Sequence, residues 1–335
     1  MGAPFPGLSG SFFLGTGMPL YLSGVIWPYL AGLGRVWPEG LPESMFAEIF
    51  SIIAPVFLCA FVGFGWAKKG HPFETAFVTR LVTTIGFPCL IFTALIKAPI
   101  TTETLGAMGL ASLLSVAAFA AIALPVLKLA GLSQRTYLSS MIFANTGNMG
   151  LPLCLLAFGK EGLALAIAYF AVNSILVFVL GPALAAGTAN PKEILKIPLV
   201  WAVLAALAVK FSGIEIFDWL FKTLDLLGGF AIPLMLITLG VSLAGLKIAS
   251  LNRAVWLSVF RLALGFGVGW GLAEAFGFEG AARGVLIIEC ALPAAVFNFL
   301  FAQAHDNRPD EVASIVLVST TLSFMTLPAL LWFVK

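Results

Sequence analysis

The sequence predicts an all-α polytopic membrane protein, with ten transmembrane helices arranged as two inverted five-helix repeats and helices 4 and 9 broken where they cross. Three observations predict it. Sixty per cent of the residues are hydrophobic and only 10% charged, against about 45–50% and about 25% in soluble domains. Ten apolar stretches near the length of about 20 residues that a bilayer crossing needs follow Met45. Prolines and their flanking residues recur in order at a nearly constant offset.

The ten stretches are 46–67, 76–97, 104–127, 136–158, 162–187, 194–212, 222–246, 254–274, 282–304 and 311–334. Short connections hold most of the charges, among them Lys68/Lys69, Lys128, Lys192/Lys196 and Asp306/Arg308/Asp310. The sixth stretch is the weakest, because only Ile197 to Val209 is uncharged and Lys196 and Lys210 must snorkel. Residues 1–44 form an N-terminal extension, 45–187 the first repeat and 188–335 the second. Met1 to Gly34 is uncharged and holds eight glycines and four prolines, too broken for a helix, and it lacks the basic start of a signal peptide. Either Met45 is the initiator, or the extension is an irregular segment at the membrane surface.

Orientation follows from the lysines and arginines. Loops after stretches 1, 3, 5, 7 and 9, with adjoining helix ends, hold ten of them and the opposite side six. The odd-numbered loops are therefore expected in the cytoplasm and the C-terminus outside, in a multi-pass protein of the cell (inner) membrane.

The repeat is read from four matched stretches. LVFVLGPAL (Leu176 to Leu184) and LSFMTLPAL (Leu322 to Leu330) share five of nine positions at an offset of 146. Pro88 and Pro233 are 145 apart, Pro55 and Pro198 are 143 apart, and Pro152 and Pro293 are 141 apart. Five crossings per half is odd, so the second half enters the membrane upside down.

NTGNMGLPL (Asn145 to Leu153) lies inside Thr136–Gly159, 24 residues without a charge. Proline removes a backbone donor and clashes with the preceding turn, and free carbonyls at membrane depth are tolerated only in protein or beside a cavity. Gly147, Gly150 and Pro152 therefore predict a break in helix 4, and Pro293 a matching break in helix 9. Half-helix N-termini at such a crossing offer free amides and positive dipole ends to an anion such as a carboxylate. Asn145, Thr146, Asn148 and Asn298 add neutral hydrogen-bonding groups.

NTGNMGLPL, FPCLIF from Phe87, AIPLMLITLGVSL (Ala231 to Leu243), ALPAAVFNFLFA (Ala291 to Ala302) and TLPAL (Thr326 to Leu330) resemble the auxin efflux carrier family. That family includes PIN-type plant carriers and bacterial permeases for malate, malonate and similar anions. The resemblance covers about residues 45–335. It implies a scaffold of helices 1, 2, 6 and 7, a mobile transport domain made of the rest, and substrate bound where helices 4 and 9 cross. A second copy of the chain, paired as a homodimer through the scaffold helices, is an expected partner, though the sequence does not fix the oligomeric state. By motif, the substrate-binding positions carried over are Asn145, Asn148 and Pro152, with Pro293 and Asn298 opposite. Glu289 departs from the pattern, which has an uncharged polar residue such as glutamine there.

An ionisable group at that depth is a functional candidate by default. Glu289 either pairs with Arg261 or carries a proton during transport. The predicted depths separate the two by roughly 10 Å along the membrane normal at about 1.5 Å per residue, which favours proton coupling.

The expected function is alternating-access secondary transport of a small organic anion, with that anion and the lipid bilayer as partners. The alternative is a sodium-coupled symporter of the bile-acid type, with oxygen ligands from Asn145, Thr146, Glu289 and Asn298. An enzyme is not expected: His71 and His305 lie in loops, and no stretch pairs two carboxylates. The net charge of +2, with basic residues scattered, gives no footprint for nucleic acid. Cys59, Cys89, Cys154 and Cys290 lack metal-site spacing, so no metal or cofactor is expected.

Overall fold

The structure, a computed structural model, describes residues 43–97, 100–186, 198–212, 214–246 and 249–335. The residues from Ala47 to Lys335 form one compact unit. Most of the expected extension, and parts of the connections after helices 5 and 7, lie outside the described residues.

All regular structure described is helical. The elements are α1 (Glu43–Lys68), α2 (Thr75–Leu81), π1 (Val82–Gly86), α3 (Phe87–Lys97), α4 (Thr102–Leu129), α5 (Gln134–Ile142), π2 (Thr146–Gly150) and α6 (Leu151–Ala186). They continue with α7 (Pro198–Ser212), α8 (Asp218–Gly229), α9 (Ala231–Gly245), α10 (Leu251–Phe276), α11 (Gly280–Ala291), α12 (Val296–Ala304) and α13 (Pro309–Val334). Seven helical stretches among the described residues are long and apolar enough to cross a membrane, and Pro198–Lys210 is a shorter apolar helix.

Local chemistry explains the boundaries. The Thr101 hydroxyl accepts the amide of Thr104 to open α4, and the Ser133 hydroxyl accepts that of Thr136 to open α5. Pro309 opens α13, where its missing N–H has no helical partner to lose. Stretches 4 and 5 are joined without a loop: α6 turns a corner at Gly159, whose φ of 63° and ψ of −149° suit glycine alone. Both π turns end two residues before a proline, Pro88 and Pro152. A widened turn accommodates the donor that proline lacks.

The break in stretch 4 lies earlier than expected. Phe143, Ala144 and Asn145 are non-helical, while Gly147 and Gly150 belong to π2 and Pro152 to α6. Close approach explains the glycines: a Cβ on Gly147 would lie 2.8 Å from the Phe170 ring. Stretch 9 breaks at 292–295, including Pro293, so the matched breaks are 150 residues apart rather than 141.

Helix ends gather at two faces. Lys335, after α13, pairs with Glu48 near the start of α1. Elsewhere the beginnings of α5, α10 and α13 meet, where Arg253 holds Glu311 at 2.5 Å and Tyr137 at 3.2 Å. The Tyr137 hydroxyl also donates to Glu311. Between α1 and α9 the backbones nearly touch: a Cβ on Gly63 would lie 1.9 Å from the Ile237 carbonyl oxygen, and one on Gly240 1.8 Å from that of Ala60.

Candidate functional site

The two breaks meet. Ala144 and Ala294 form an antiparallel bridge, in which the amide of Asn145 donates to the Pro293 carbonyl at 2.9 Å and that of Ala295 to the Phe143 carbonyl at 3.0 Å. Without this pairing the buried amides of Asn145 and Ala295 would lack acceptors, which is costly in an apolar interior. The bridge satisfies them reciprocally. Just beyond it, π2 and α12 begin, so two helix N-termini with unsatisfied amides flank one point.

Each half braces its own break from its last long helix. Asn173 of α6 donates from Nδ2 to the Thr146 hydroxyl at 3.0 Å. Ser319 of α13 accepts the amide of Ala294 at 3.2 Å. Asn173 and Ser319 are 146 residues apart, the same offset as the LVFVLGPAL and LSFMTLPAL stretches.

A cavity of about 300 Å³ lies against this crossing, at the small end of the range for ligand sites. Asn148 of π2, Val296, Phe297 and Leu300 of α12 form one wall. Thr75 and Thr79 of α2, with Met235, Thr238 and Ser242 of α9, form the other. No charged side chain lines it. Gly245 and Leu246 lie at its margin, and Thr75 opens α2, so the cavity sits toward the α1–α2 and α9–α10 connections.

Of the expected site residues, Asn148 lines the cavity. Asn145 and Pro293 contribute backbone groups to the bridge, and the Asn145 Nδ2 is buried without a hydrogen-bond partner. The Thr146 hydroxyl is held by Asn173. Pro152 is the second residue of α6, beyond the break. The side chain of Asn298 is spent on the protein: Oδ1 accepts the Ser139 hydroxyl at 2.7 Å and Nδ2 donates to the Phe143 carbonyl at 3.1 Å.

Glu289, near the end of α11, is fully buried. Its Oε1 accepts a long contact of 3.7 Å from the Cys154 thiol, and Oε2 has no hydrogen-bond partner. The carboxylate lies against the bare Cα of Gly150, where a Cβ would come within 2.3 Å of Oε2. The alternative pairing with Arg261 is not formed. Arg261, also fully buried, donates from Nη2 to the Cys290 carbonyl at 3.1 Å and lies 4.7 Å over the Phe119 ring. Its Nε and Nη1 have no hydrogen-bond partner.

Sequence reading did not find Ser139, Asn173, Ser319 or the α2 and α9 hydroxyls. Asn173 and Ser319 were available at the repeat offset. Thr75, Thr79, Thr238 and Ser242 carried no comparable signal, since such hydroxyls commonly bond their own helix, as that of Thr238 does to the Leu234 carbonyl.

Apolar helices of this length, interrupted in the interior beside a small neutral cavity, define the class as multi-pass membrane proteins. The family model described as membrane transport protein matches residues 48–195 and 184–331, most of the chain, which belongs to this auxin efflux carrier-like family. Over 203 residues it is 28% identical to an uncharacterized transporter of Methanocaldococcus jannaschii, a match covering 57% of this chain and 65% of that protein's own length, just under two thirds. Over 269 residues it is 28% identical to an uncharacterized transporter of Methanothermobacter thermautotrophicus, covering 77% of this chain and 88% of the relative.

Proposed function

We propose that this protein is a secondary carrier that exports or exchanges a small organic anion, a carboxylate, across the cell (inner) membrane by alternating access. The observation that carries this reading is the cavity beside Asn148 at the meeting of the two breaks. Its walls supply amide and hydroxyl donors without a fixed countercharge, and the N-termini of π2 and α12 favour negative charge there. Substrate release is easier from such a site than from one built on a buried cation.

In this reading the chain crosses the membrane ten times as two inverted halves. The meeting of Glu48 with Lys335 supports an even number of crossings. α1, α2–α3, α7 and α8–α9 are the scaffold, through which two copies pair, and the remaining helices move against it in an elevator-like step. The cavity faces the cytoplasmic side. Asn145, Thr146, Asn148, Pro152, Pro293 and Asn298 make up the substrate site, with Asn148 touching substrate and the others shaping the crossing. Glu289 carries a coupling proton.

Purified protein should be screened by thermal shift against dicarboxylates, keto acids and indole acids, since a ligand of the folded state raises its stability by mass action. Stabilising acids should then enter proteoliposomes. Absence of both stabilisation and flux across the panel rejects the carrier reading, and flux that requires sodium replaces it with the sodium-coupled alternative. Reporter fusions should place Lys69, Lys192 and Lys247 inside and the C-terminus outside. Lys69 and Lys160 on one face would reject the inverted halves.

A further inference from the structure

Glu289 and Arg261 are the buried acid and the buried base among the described residues, and they carry opposite charges without touching. Both lie in the second half of the chain, and the first half has a serine at each equivalent place. Counted from the helix starts Thr102 and Leu251, Ser112 of α4 and Arg261 of α10 are both the eleventh residue. Counted back from the bridge residues Ala144 and Ala294, Ser139 and Glu289 are both five residues earlier. The second half therefore carries an acid and a base where the first has two neutral hydroxyls.

The neighbours of Glu289 leave that sum intact. α6 brings Cys154 and Tyr169, α11 itself Cys290, and α10 brings Arg261. π2, α4 and α13, which also pack against α11, present no buried Asp, Glu, Lys, Arg or His among the described residues. The cavity walls add no charge.

Resting on the carrier reading, we infer that Glu289 and Arg261 are a charge-balancing set that makes the protein a symporter of one proton with one monoanion. With the site empty and Glu289 ionised, its charge and that of Arg261 cancel. With a monoanion bound, cancellation requires Glu289 to hold a proton, taken from and returned to bulk water on the side to which the site is open. The other two states, loaded with ionised Glu289 or empty with protonated Glu289, carry one uncompensated buried charge. Such a charge is costly in a low-dielectric bundle and does work against the membrane potential when moved. The balanced states cross readily, whereas a charged state crosses slowly and at a rate set by the membrane potential. Proton and monoanion thus travel together, inward down a proton gradient or outward when the anion gradient is the larger.

The test uses proteoliposomes with a trapped pH dye and a potential set by potassium and valinomycin. The probe is whichever of labelled pyruvate, indole-3-acetate or malonate stabilises the protein most. Pyruvate or indole-3-acetate should enter with one proton per molecule, at a rate changing less than twofold when the potential is imposed. The malonate dianion should enter with one proton and a clear voltage dependence. In Glu289→Gln, exchange should persist while net flux falls at least tenfold, because the empty carrier is then charged. The double variant Arg261→Gln/Glu289→Gln, which removes both charges together, should move the monoanion without protons and with voltage dependence, and it serves if the single variant does not fold. Proton-free or voltage-driven monoanion flux in the wild type overturns the charge balance while leaving the carrier reading standing. So does proton-coupled flux in the double variant. Failure of all three acids to bind or cross rejects the carrier reading itself.

Discussion

The two breaks share a backbone and differ in their side chains. Asn148 and Asn298 each stand four residues after their bridge residue, yet Asn148 faces the cavity while Asn298 is consumed by Ser139 and the Phe143 carbonyl. Ser139 and Glu289 each stand five before it, yet Ser139 locks the facing asparagine while Glu289 lies against Gly150 and Cys154. Duplication supplies the frame, because reciprocal backbone pairing needs equal geometry from both halves. Side-chain chemistry, free to drift in each copy, divides the labour: the first half turns its asparagine to the cavity, while the second spends its asparagine on holding the breaks together and carries the buried charges.

The largest effect is expected where a helix of one half meets a helix of the other backbone to backbone. Gly63 and Gly240 each meet the backbone of the facing helix, α1 against α9, so a larger residue cannot be absorbed by a rotamer change. Gly63→Leu and Gly240→Leu should each cost about 3 kcal/mol or more, the upper end of overpacking penalties. Thermal unfolding in detergent and monodispersity on gel filtration read this out. A large loss at one glycine only would show that the contact is not reciprocal.

The asparagine pair separates frame from site. Asn298→Ala removes two side-chain hydrogen bonds within the protein and leaves the buried Phe143 carbonyl with one donor fewer, so stability should fall by about 1–3 kcal/mol. Asn148→Ala should leave unfolding nearly unchanged and weaken substrate binding by about 0.5–1.5 kcal/mol. Unfolding and binding measured on both variants decide it. If Asn298→Ala unfolds like the wild type and loses binding instead, the division of roles is wrong.

Much of this frame was legible in the chain. Apolar length and charge-bearing loops marked nearly every helix, and NTGNMGLPL and Pro293 marked the two interruptions. Register was the failure. Aligning Pro152 with Pro293 assumed that both prolines break their helix, whereas Pro152 sits where a π turn absorbs it and Pro293 sits in the break. The offset of 150 pairs Asn148 with Asn298 instead. Glu289 was legible by depth alone; counting residues along oppositely directed helices set Arg261 at another depth, yet Arg261 reaches the carbonyl of the next residue, Cys290, and what is missing is only the pairing of the two charges. Ser139 was not legible: one hydroxyl in a helix has no sequence-level sign that it crosses to the other half.

The smallest effects concern the braces, and they should differ in a predictable sense. Ser319→Ala leaves the Ala294 amide buried without an acceptor, a loss of about 1–3 kcal/mol. Asn173→Ala removes a donor from the Thr146 hydroxyl, which can rotate to another partner, so the loss should be about 0.5–1.5 kcal/mol. Chemical denaturation of the two variants in the same detergent compares them directly. The ordering follows from which group is stranded: an amide fixed in the backbone cannot turn away, while a hydroxyl can. A larger loss for Asn173→Ala would mean that Thr146 is held in one orientation by the crossing, and that the first half, with its open cavity, depends on its brace more than the second.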